Sequence, residues 1–558
     1  MGYLLNILFA LGALAAVDLG PAPPVELPVA VPALCLAPYV LALVVRRLSI
    51  AGHFRIAALV GGALLFSAPI LLLVAVMVLG WAQAVEGYLG VRMSLMGWPG
   101  PELFLGLLPY CVFELCAIDA RARSFDLRRD AVRSMRSFQT RMYLSALAPL
   151  FIYIAISTLV GLNRTVRTHF EELAILNALF ATLLLTLFAF SLPTILRNTW
   201  ETAPIEPGWA RSLLEEVARS AGFRCKDLYV WRTGNLVANA AIVGFTPRQR
   251  IVLFSDALLA QLGPRQLAAV FSHEIGHALR HHALIFGCWA IGFFLWADLL
   301  LGWLELGSAT IELAVFAGML GIWYLAFGYL SRRFELDADL TSIELVNDPE
   351  ALIDALEQVG GMHSRKKSSW RHFSTEERVK VIEGFVLDPR RGKRLRAKLR
   401  AWTFVGLALL AIALGLELYR LVGSVDRDRV VIDLRLGRYD ELAARIARIT
   451  RTKGDDHDFD EDLLALARRA AGLDRGDRSF ERLEELTRSA LWRGDSDAAS
   501  DYVALALLRG HAELDPVSAA LELVAQGERN TALDLLRERA PDWENAFRVL
   551  FQQAPGGS

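Results

Sequence analysis

Two histidines four residues apart, with a glutamate beside the first, stand in Phe271-Ser272-His273-Glu274-Ile275-Gly276-His277. On a helix, positions i and i+4 share a face, so both imidazoles would point the same way and hold one cation. Zinc suits such a pair, because it accepts nitrogen and oxygen ligands in a tetrahedral site that keeps one position open for water. Glu274 would face that position and take a proton from the water, which then attacks a polarised peptide carbonyl. The same short string occurs by chance in unrelated chains, so its setting decides its meaning.

The setting must supply a third ligand. His281 lies four residues beyond His277, but Ala278 occupies the place where that rival pair would need its base. His281 and His282 therefore read as the polar end of a helix meeting a membrane. Glu335, in Ser331-Arg332-Arg333-Phe334-Glu335-Leu336-Asp337-Ala338-Asp339, is the better third ligand. Asp339 follows it on the same helical face, where its carboxylate would accept the outer ring N–H of a ligand histidine. Asp337 falls off that face and reads as solvated. A plainer alternative has Glu335 and Asp339 pairing only with Arg332 or Arg333.

These residues need elements to position them. Gly263-Pro264 opens the helix that carries the histidines, with proline at its first position. Before it, 207–222 has apolar residues at helical spacing, and 228–231, 236–243 and 250–254 read as short strands. Ser255-Asp256 supplies an N-cap for a short intervening helix.

The rest of the chain is shaped by its hydrophobic content, 54% over 558 residues with only 21% charged. A membrane-spanning helix needs about 20 apolar residues. The clearest stretches are 56–80, 143–161, 174–196, 283–304, 309–330 and 401–422, with shorter ones at 4–17, 29–45 and 103–118. Nine spans are expected, with seven or eight as alternatives; the first is read as a retained helix, since it lacks a basic n-region. Under strict alternation, Arg46, Arg47 and Arg55 fall on one side with Arg121, Arg123, Arg128, Arg129, Arg133, Arg136 and Arg141, as the positive-inside rule requires. The 197–282 and 331–400 segments share that cytoplasmic side, and 424–558 lies opposite. The basic run 390–400 is read as a topology signal and not a nucleic-acid patch. A net charge of -1 gives no global field for polyanions. The five scattered cysteines read as small buried hydrophobes. Alanine, leucine and arginine in excess over lysine point to a GC-rich bacterium.

From about 204 to 382 the sequence resembles the membrane gluzincins that include the HtpX heat-shock proteases and the CAAX prenyl proteases. The resemblance rests on the His273–His277 string preceded by Leu267-Ala-Ala-Val270, on Glu335 to Asp339 running into Asp348-Pro-Glu-Ala-Leu-Ile353, and on Ile251-Val-Leu-Phe-Ser-Asp-Ala-Leu-Leu259. It implies a zinc endopeptidase with His273, His277 and Glu335 as ligands, Glu274 as base and Asp339 behind a ligand. The family's Asn-Ala-x-Ala strand, which pairs with extended substrate, stands here as Asn239-Ala240-Ala241-Ile242, with Ile242 departing from the pattern. Its His-Pro element followed by an arginine appears as His372-Phe373 and then Arg378, without the proline; His372 would stabilise an oxyanion or lie on a polar loop.

The expectation is a mainly α polytopic membrane protein with a small α+β zincin-type catalytic domain. Residues 1–196 form an N-terminal membrane region of about six spans. Residues 197–400 form the metalloprotease domain, interrupted by a membrane hairpin at 283–330. A last span at 401–422 leads to a helical domain at 424–558, where Gly494 and Gly527 are spaced near a tetratricopeptide period. One zinc per chain, polypeptide substrates that are membrane-associated or misfolded, a bilayer, and a protein partner for the C-terminal domain are expected, with no nucleic acid. The location expected is the bacterial inner membrane. The rival reading is a non-catalytic membrane scaffold with a degenerate zincin domain.

Overall fold

The computed structural model describes residues 2–15, 27–89, 99–124, 129–304, 309–364, 373–453, 461–473 and 480–553. It divides into two compact units, Met1–Leu159 with Thr182–Tyr419, and Val160–Ala181 with Arg420–Ser558.

The first unit begins with α1 (Gly2–Ala15), α2 (Leu27–Ala33), α3 (Ala37–Ile50), α4 (Phe54–Leu65), α5 (Ser67–Met77), α6 (Trp81–Leu89), α7 (Pro101–Ser124) and α8 (Arg129–Gly161). Helices α9 (Arg164–Glu172) and α10 (Ala174–Thr199) follow. Side chains of α1, α5, α7 and α8, including Leu14, Leu72, Tyr110 and Tyr143, form an apolar core. Glu114 on α7 is fully buried there, paired with Arg121 at 2.9 Å and accepting a hydrogen bond from Asn6 of α1 at 3.3 Å. Isolated, that carboxylate would be very costly to bury.

Seven helical stretches among the described residues are long and apolar enough to cross a membrane: Leu27–Ile50, Pro101–Ser124, Arg129–Gly161, Ala174–Thr199, His282–Leu304, Ala314–Val346 and Pro389–Leu436. Helices α4 and α5 make an eighth if the pair, bent by 55°, is one span. Of the nine stretches expected, the one at 4–17 holds α1, whose 14 described residues extend about 21 Å, and its last two residues lie outside the described residues.

Beyond α10 the chain forms a sheet in the order β1-β2-β4-β3. Its strands are β1 (Thr202–Pro204), β2 (Asp227–Trp231), β3 (Ala240–Val243) and β4 (Ile251–Ser255), with α11 (Trp209–Ser220) between β1 and β2. The central pair β2–β4 is parallel and the outer strands are antiparallel. The strand expected over 236–243 begins only at Ala240, because the Val237 and Asn239 amides donate to the Thr233 and Ser255 hydroxyls after a turn at Gly234 and Asn235 held by the Asp256 carboxylate. Trp231 stacks on Trp200 at 4.4 Å and lies 5.6 Å from Phe138 of α8, which ties the sheet to the membrane helices.

Next come α12 (Asp256–Gln261), capped by Ser255, and α13 (Pro264–Leu279), which starts after Gly263 with Pro264 in its first turn. Helices α14 (His282–Leu304) and α15 (Ala309–Val346) form the hairpin, followed by α16 (Pro349–Ser364), α17 (Thr375–Leu387) and α18 (Pro389–Leu436). Helix α15 packs tightly on α13 at Gly276: a Cβ there would lie 3.1 Å from the Ala338 Cα and 3.2 Å from its carbonyl oxygen. Backbone cannot yield as a side chain tip can. Gly276→Val is therefore expected to destabilise the protein by about 1–3 kcal/mol through overpacking, lowering both the thermal midpoint and the zinc retained after dialysis.

In the second unit, α19 (Tyr439–Lys453) contacts α20 (Glu461–Ala471), α21 (Phe480–Trp492) contacts α22 (Ser496–Leu508), and α23 (Asp515–Ala525) contacts α24 (Arg529–Arg539), with α25 (Glu544–Gln553) last. Gly437, Gly494 and Gly527 all have positive φ and stand between successive helices, so these three turns require glycine. Helix α9 belongs to this unit, where Arg435 pairs with Glu171 at 2.9 Å and with Glu172.

Candidate metal centre

Helix α13 presents His273 and His277 on one face, with their Nε2 atoms 3.2 Å apart. Glu335 of α15 comes from the far side of the hairpin: its carboxylate oxygens lie 3.8 Å from His273 Nε2 and 3.7 Å from His277 Nε2. Two ligand atoms each about 2.1 Å from one tetrahedral zinc stand about 3.4 Å apart. The three donors have that spacing, and among the described residues they are the group able to hold a metal ion. A zinc ion therefore fits these residues in number, chemistry and separation.

The rings are oriented from behind. His273 Nδ1 lies 2.9 Å from Asp339 Oδ1, and Asp339 is fully buried. Asp339 also accepts from Arg378 of α17, at 2.9 Å to Nε, and the Arg378 Nη1 atom stands 3.7 Å from Glu335. One guanidinium thus faces the Glu335 and Asp339 carboxylates together.

His277 is held by a longer chain. Its Nδ1 lies 2.9 Å from His282 Nδ1, and His282 Nε2 lies 3.3 Å from Asp337 Oδ2. With Asp337 as terminal acceptor, one proton arrangement satisfies the series: His282 Nε2–H donates to the carboxylate, and His277 Nδ1–H donates to His282 Nδ1. That leaves the His277 Nε2 lone pair facing Glu335 and His273. Asp337 further accepts from Arg396 of α18 at 2.8 Å.

Two expectations are corrected here. Asp337 is buried instead of solvated, since α18 and the start of α14 cover the side of α15 opposite Glu335. His282 is also buried and is no mere helix end. Position i+5 of a continuous helix would not meet His277, but the chain breaks at His281, with φ 54°, and starts again. His281 itself is exposed, as expected of a helix terminus. Asp337→Asn is expected to weaken zinc affinity about 10–100-fold, read by competition with a chromophoric chelator, because the outer N–H of the series loses its charged acceptor.

Burial sets the protonation of the site. It lifts Glu274 to about 7, with Glu335 adding to the rise against the opposing charges of His273 and Arg378. That places a carboxylate base near neutral working pH. His277 is brought down to about 3 by burial and by its neighbour His273, so its ring is neutral. Burial also opposes charge on His273, but the hydrogen bond and charge of Asp339 outweigh it and hold the ring above its ordinary value.

A cleft of about 350 Å³ opens over these groups. Asn239 and Ala240 line it together with His273, Glu274, Glu335 and Arg378. Strand β3, which contains Ala240, is the edge of the sheet beside α13. Ser255 fixes the approach to it, accepting from the Asn239 amide and donating its own amide to the Asn239 carbonyl, both at 2.9 Å. His372 lies outside the described residues. In the sequence Arg378 stands only in a partial motif; its contacts with Asp339 and Glu335 arise once α17 is folded against α15.

A His/His/Glu cluster at metal-ligand spacing is thus carried by a helix beside a small sheet, among apolar helices long enough to span a membrane. Residues 204–386 match Peptidase family M48. The earlier resemblance to HtpX and CAAX prenyl proteases is borne out by the relatives found. A protease HtpX homolog of Persephonella marina is 27% identical over 172 residues, covering 29% of this chain and 58% of that protein. A probable CAAX prenyl protease 1 of Schizosaccharomyces pombe is 31% identical over 136 residues, covering 24% of this chain and 28% of that one. The chain thus spans little more than half the length of the first of these relatives. The crystal structure of S. mikatae Ste24p aligns with 68% of this chain and 96% of its own at 13% identity, with a TM-score of 0.41.

Proposed function

We propose that the protein is a zinc-dependent endopeptidase that cleaves membrane-associated or misfolded polypeptides at the cytoplasmic face of a bacterial inner membrane. The observation that carries this reading is the convergence of His273, His277 and Glu335 at ligand spacing, with Glu274 beside them in one cleft. When bound there, zinc supplies Lewis acidity that polarises a carbonyl and makes water easier to deprotonate. Glu274 takes the proton from the attacking water, and the same carboxyl group returns it to the amine nitrogen as the C–N bond breaks. An extended substrate adds to the free edge of β3 through main-chain hydrogen bonds, which holds its backbone in register over Glu274. Arg378 keeps the Asp339 carboxylate aimed at His273 and balances the charge of Glu335. The scaffold reading is not favoured, because every group this chemistry requires is in place.

Orientation follows from few crossings. Helices α14 and α15 return the chain to the side it left, so the segments before α14 and after α15 that build the site share one face. Two further crossings, α8 and α10, separate that face from the arginines at the start of α8, which makes it the cytoplasmic one by the positive-inside rule. Reporter fusions at Arg123 and after Ser424 are expected to give opposite signals, cytoplasmic for the first. Equal signals at both would reject this topology. The proposed domain limits, 197–400 for the protease and 424–558 for a helical domain that meets a protein partner, rest on the same crossing count. Retention of cleavage after exhaustive removal of zinc would overturn the enzymatic reading.

A further inference from the structure

A cavity of about 760 Å³ lies behind the metal centre, between the first turns of α14, the α15 turn carrying Asp337, and α18. It is separate from the substrate cleft, and its lining is sorted by height. On α18, Lys393, Arg396 and Arg400 line its upper part at helical spacing, and Thr403, Phe404 and Leu407 continue the same face below. The neighbouring chain repeats the order, with Arg280 and His281 followed by Leu284, Ile285 and Cys288. The two helices run side by side in the same sense, since Trp296 of α14 donates to the Leu409 carbonyl at 3.1 Å and Trp289 stands 6.0 Å from Trp402. Both polar ends therefore lie at one level, where the spans leave the membrane.

The charges there are unbalanced. Asp337 is the carboxylate in the lining, and it is taken up by His282 and Arg396. Arg396 is in turn shared with Glu344 at 2.8 Å. Arg280 approaches Asp337 only to 3.9 Å, and among the described residues neither Lys393 nor Arg400 has an ion-pair partner. Three cations thus surround the mouth of a groove whose floor is hydrocarbon-like.

We propose that this cavity is a binding site for one anionic phospholipid, with the phosphate among Arg280, Lys393 and Arg400 and an acyl chain along Leu284, Ile285, Phe404 and Leu407. Basic pockets between spanning helices on the cytoplasmic side have the form that recognises anionic headgroups. A zwitterionic headgroup would bring its own cation against the same three side chains. The inner wall of the cavity is His282 and Asp337, the groups that hold the His277 ring. Lipid and zinc binding are consequently linked, each favouring the other. The proposal rests on the membrane placement of α14 and α18 and not on peptidase activity.

The test is native mass spectrometry of the full-length protein released from a non-ionic detergent after exposure to dioleoyl phosphatidylglycerol, dioleoyl phosphatidylcholine or inorganic phosphate. One phosphatidylglycerol per chain is expected to be retained in preference to phosphatidylcholine. Lys393→Gln with Arg400→Gln is expected to weaken that retention about 25-fold, from about fivefold for each neutralised cation, while the thermal midpoint in detergent stays put. Cys288→Trp, which fills the apolar end and leaves every cation in place, is expected to weaken it as well. In a chelator competition, phosphatidylglycerol is expected to tighten zinc binding in the parent and not in the double variant. Equal retention of the two lipids, or unchanged retention in the double variant, would overturn the site. Full competition by inorganic phosphate would show an ion site and overturn the lipid assignment. None of these readings depends on cleavage, so a failed peptidase assay would leave them intact.

Discussion

A Glu274→Gln chain is expected to retain one zinc and lose about 10²–10⁴-fold in the rate of cleaving a casein-like unfolded substrate, with little change in KM. The amide is nearly isosteric with the carboxylate, so the ligand atoms of His273, His277 and Glu335 keep their separations. What it lacks is basicity. Burial pushes the Glu274 carboxyl up to about 7, close to the pH at which a base best combines availability with proton affinity. A glutamine at the same place can hydrogen-bond to the water but cannot take its proton. Stopped turnover with elemental analysis on the same sample separates loss of the base from loss of the metal. Unchanged turnover would remove Glu274 from the mechanism.

The second large effect is expected from Glu335→Ala, measured as zinc per chain after dialysis against a weak chelator. The parent should hold close to one equivalent and the variant close to none. Removing Glu335 takes away an oxygen ligand and the negative charge nearest the histidine pair. It also leaves the Arg378 guanidinium, now 3.7 Å from that carboxylate, facing the cation with only Asp339 to balance it. Asp339 is directed at His273 Nδ1 and cannot replace the lost ligand without abandoning that ring. Full zinc retention would mean that another side chain completes the site. Normal zinc with lost turnover would instead make Glu335 a group acting on substrate.

The two variants probe the part of the site that was already legible in the sequence. His273, Glu274 and His277 are fixed relative to one another by one helical turn, and the start of that helix is written in Gly263-Pro264. The same local periodicity places Asp339 one turn beyond Glu335. Partnership between the two segments was inferred from hairpin parity, since two adjacent crossings return the chain to one side. The small sheet was partly visible: β2 and β4 were found, whereas β1 has only three residues and no alternation to read.

Other features depended on neighbours remote in sequence. Asp337 has the same local pattern as any exposed helical aspartate, and its burial follows from Arg396, which arrives 59 residues later on α18. His282 meets His277 because the helix breaks at His281, and a single left-handed residue leaves no clear mark in a run of basic and aromatic side chains. The α1 segment has spanning composition, yet over its 14 described residues the side with Ile7, Ala10 and Leu14 belongs to a protein core. Hydropathy reports that a residue avoids water and does not say whether lipid or protein replaces it.

By itself, then, the sequence determined the turn that carries His273, Glu274 and His277, the placing of Asp339 one turn beyond Glu335, and which stretches are apolar enough for a bilayer. Each of these follows from the period of a helix or from the thickness of a membrane. Tertiary structure alone decided which polar groups are buried behind the ligands, which strand is left as an edge beside them, and how the cation-lined cavity closes. Those outcomes turn on close approaches such as α15 against Gly276, where the lack of one methyl group allows two backbones to meet.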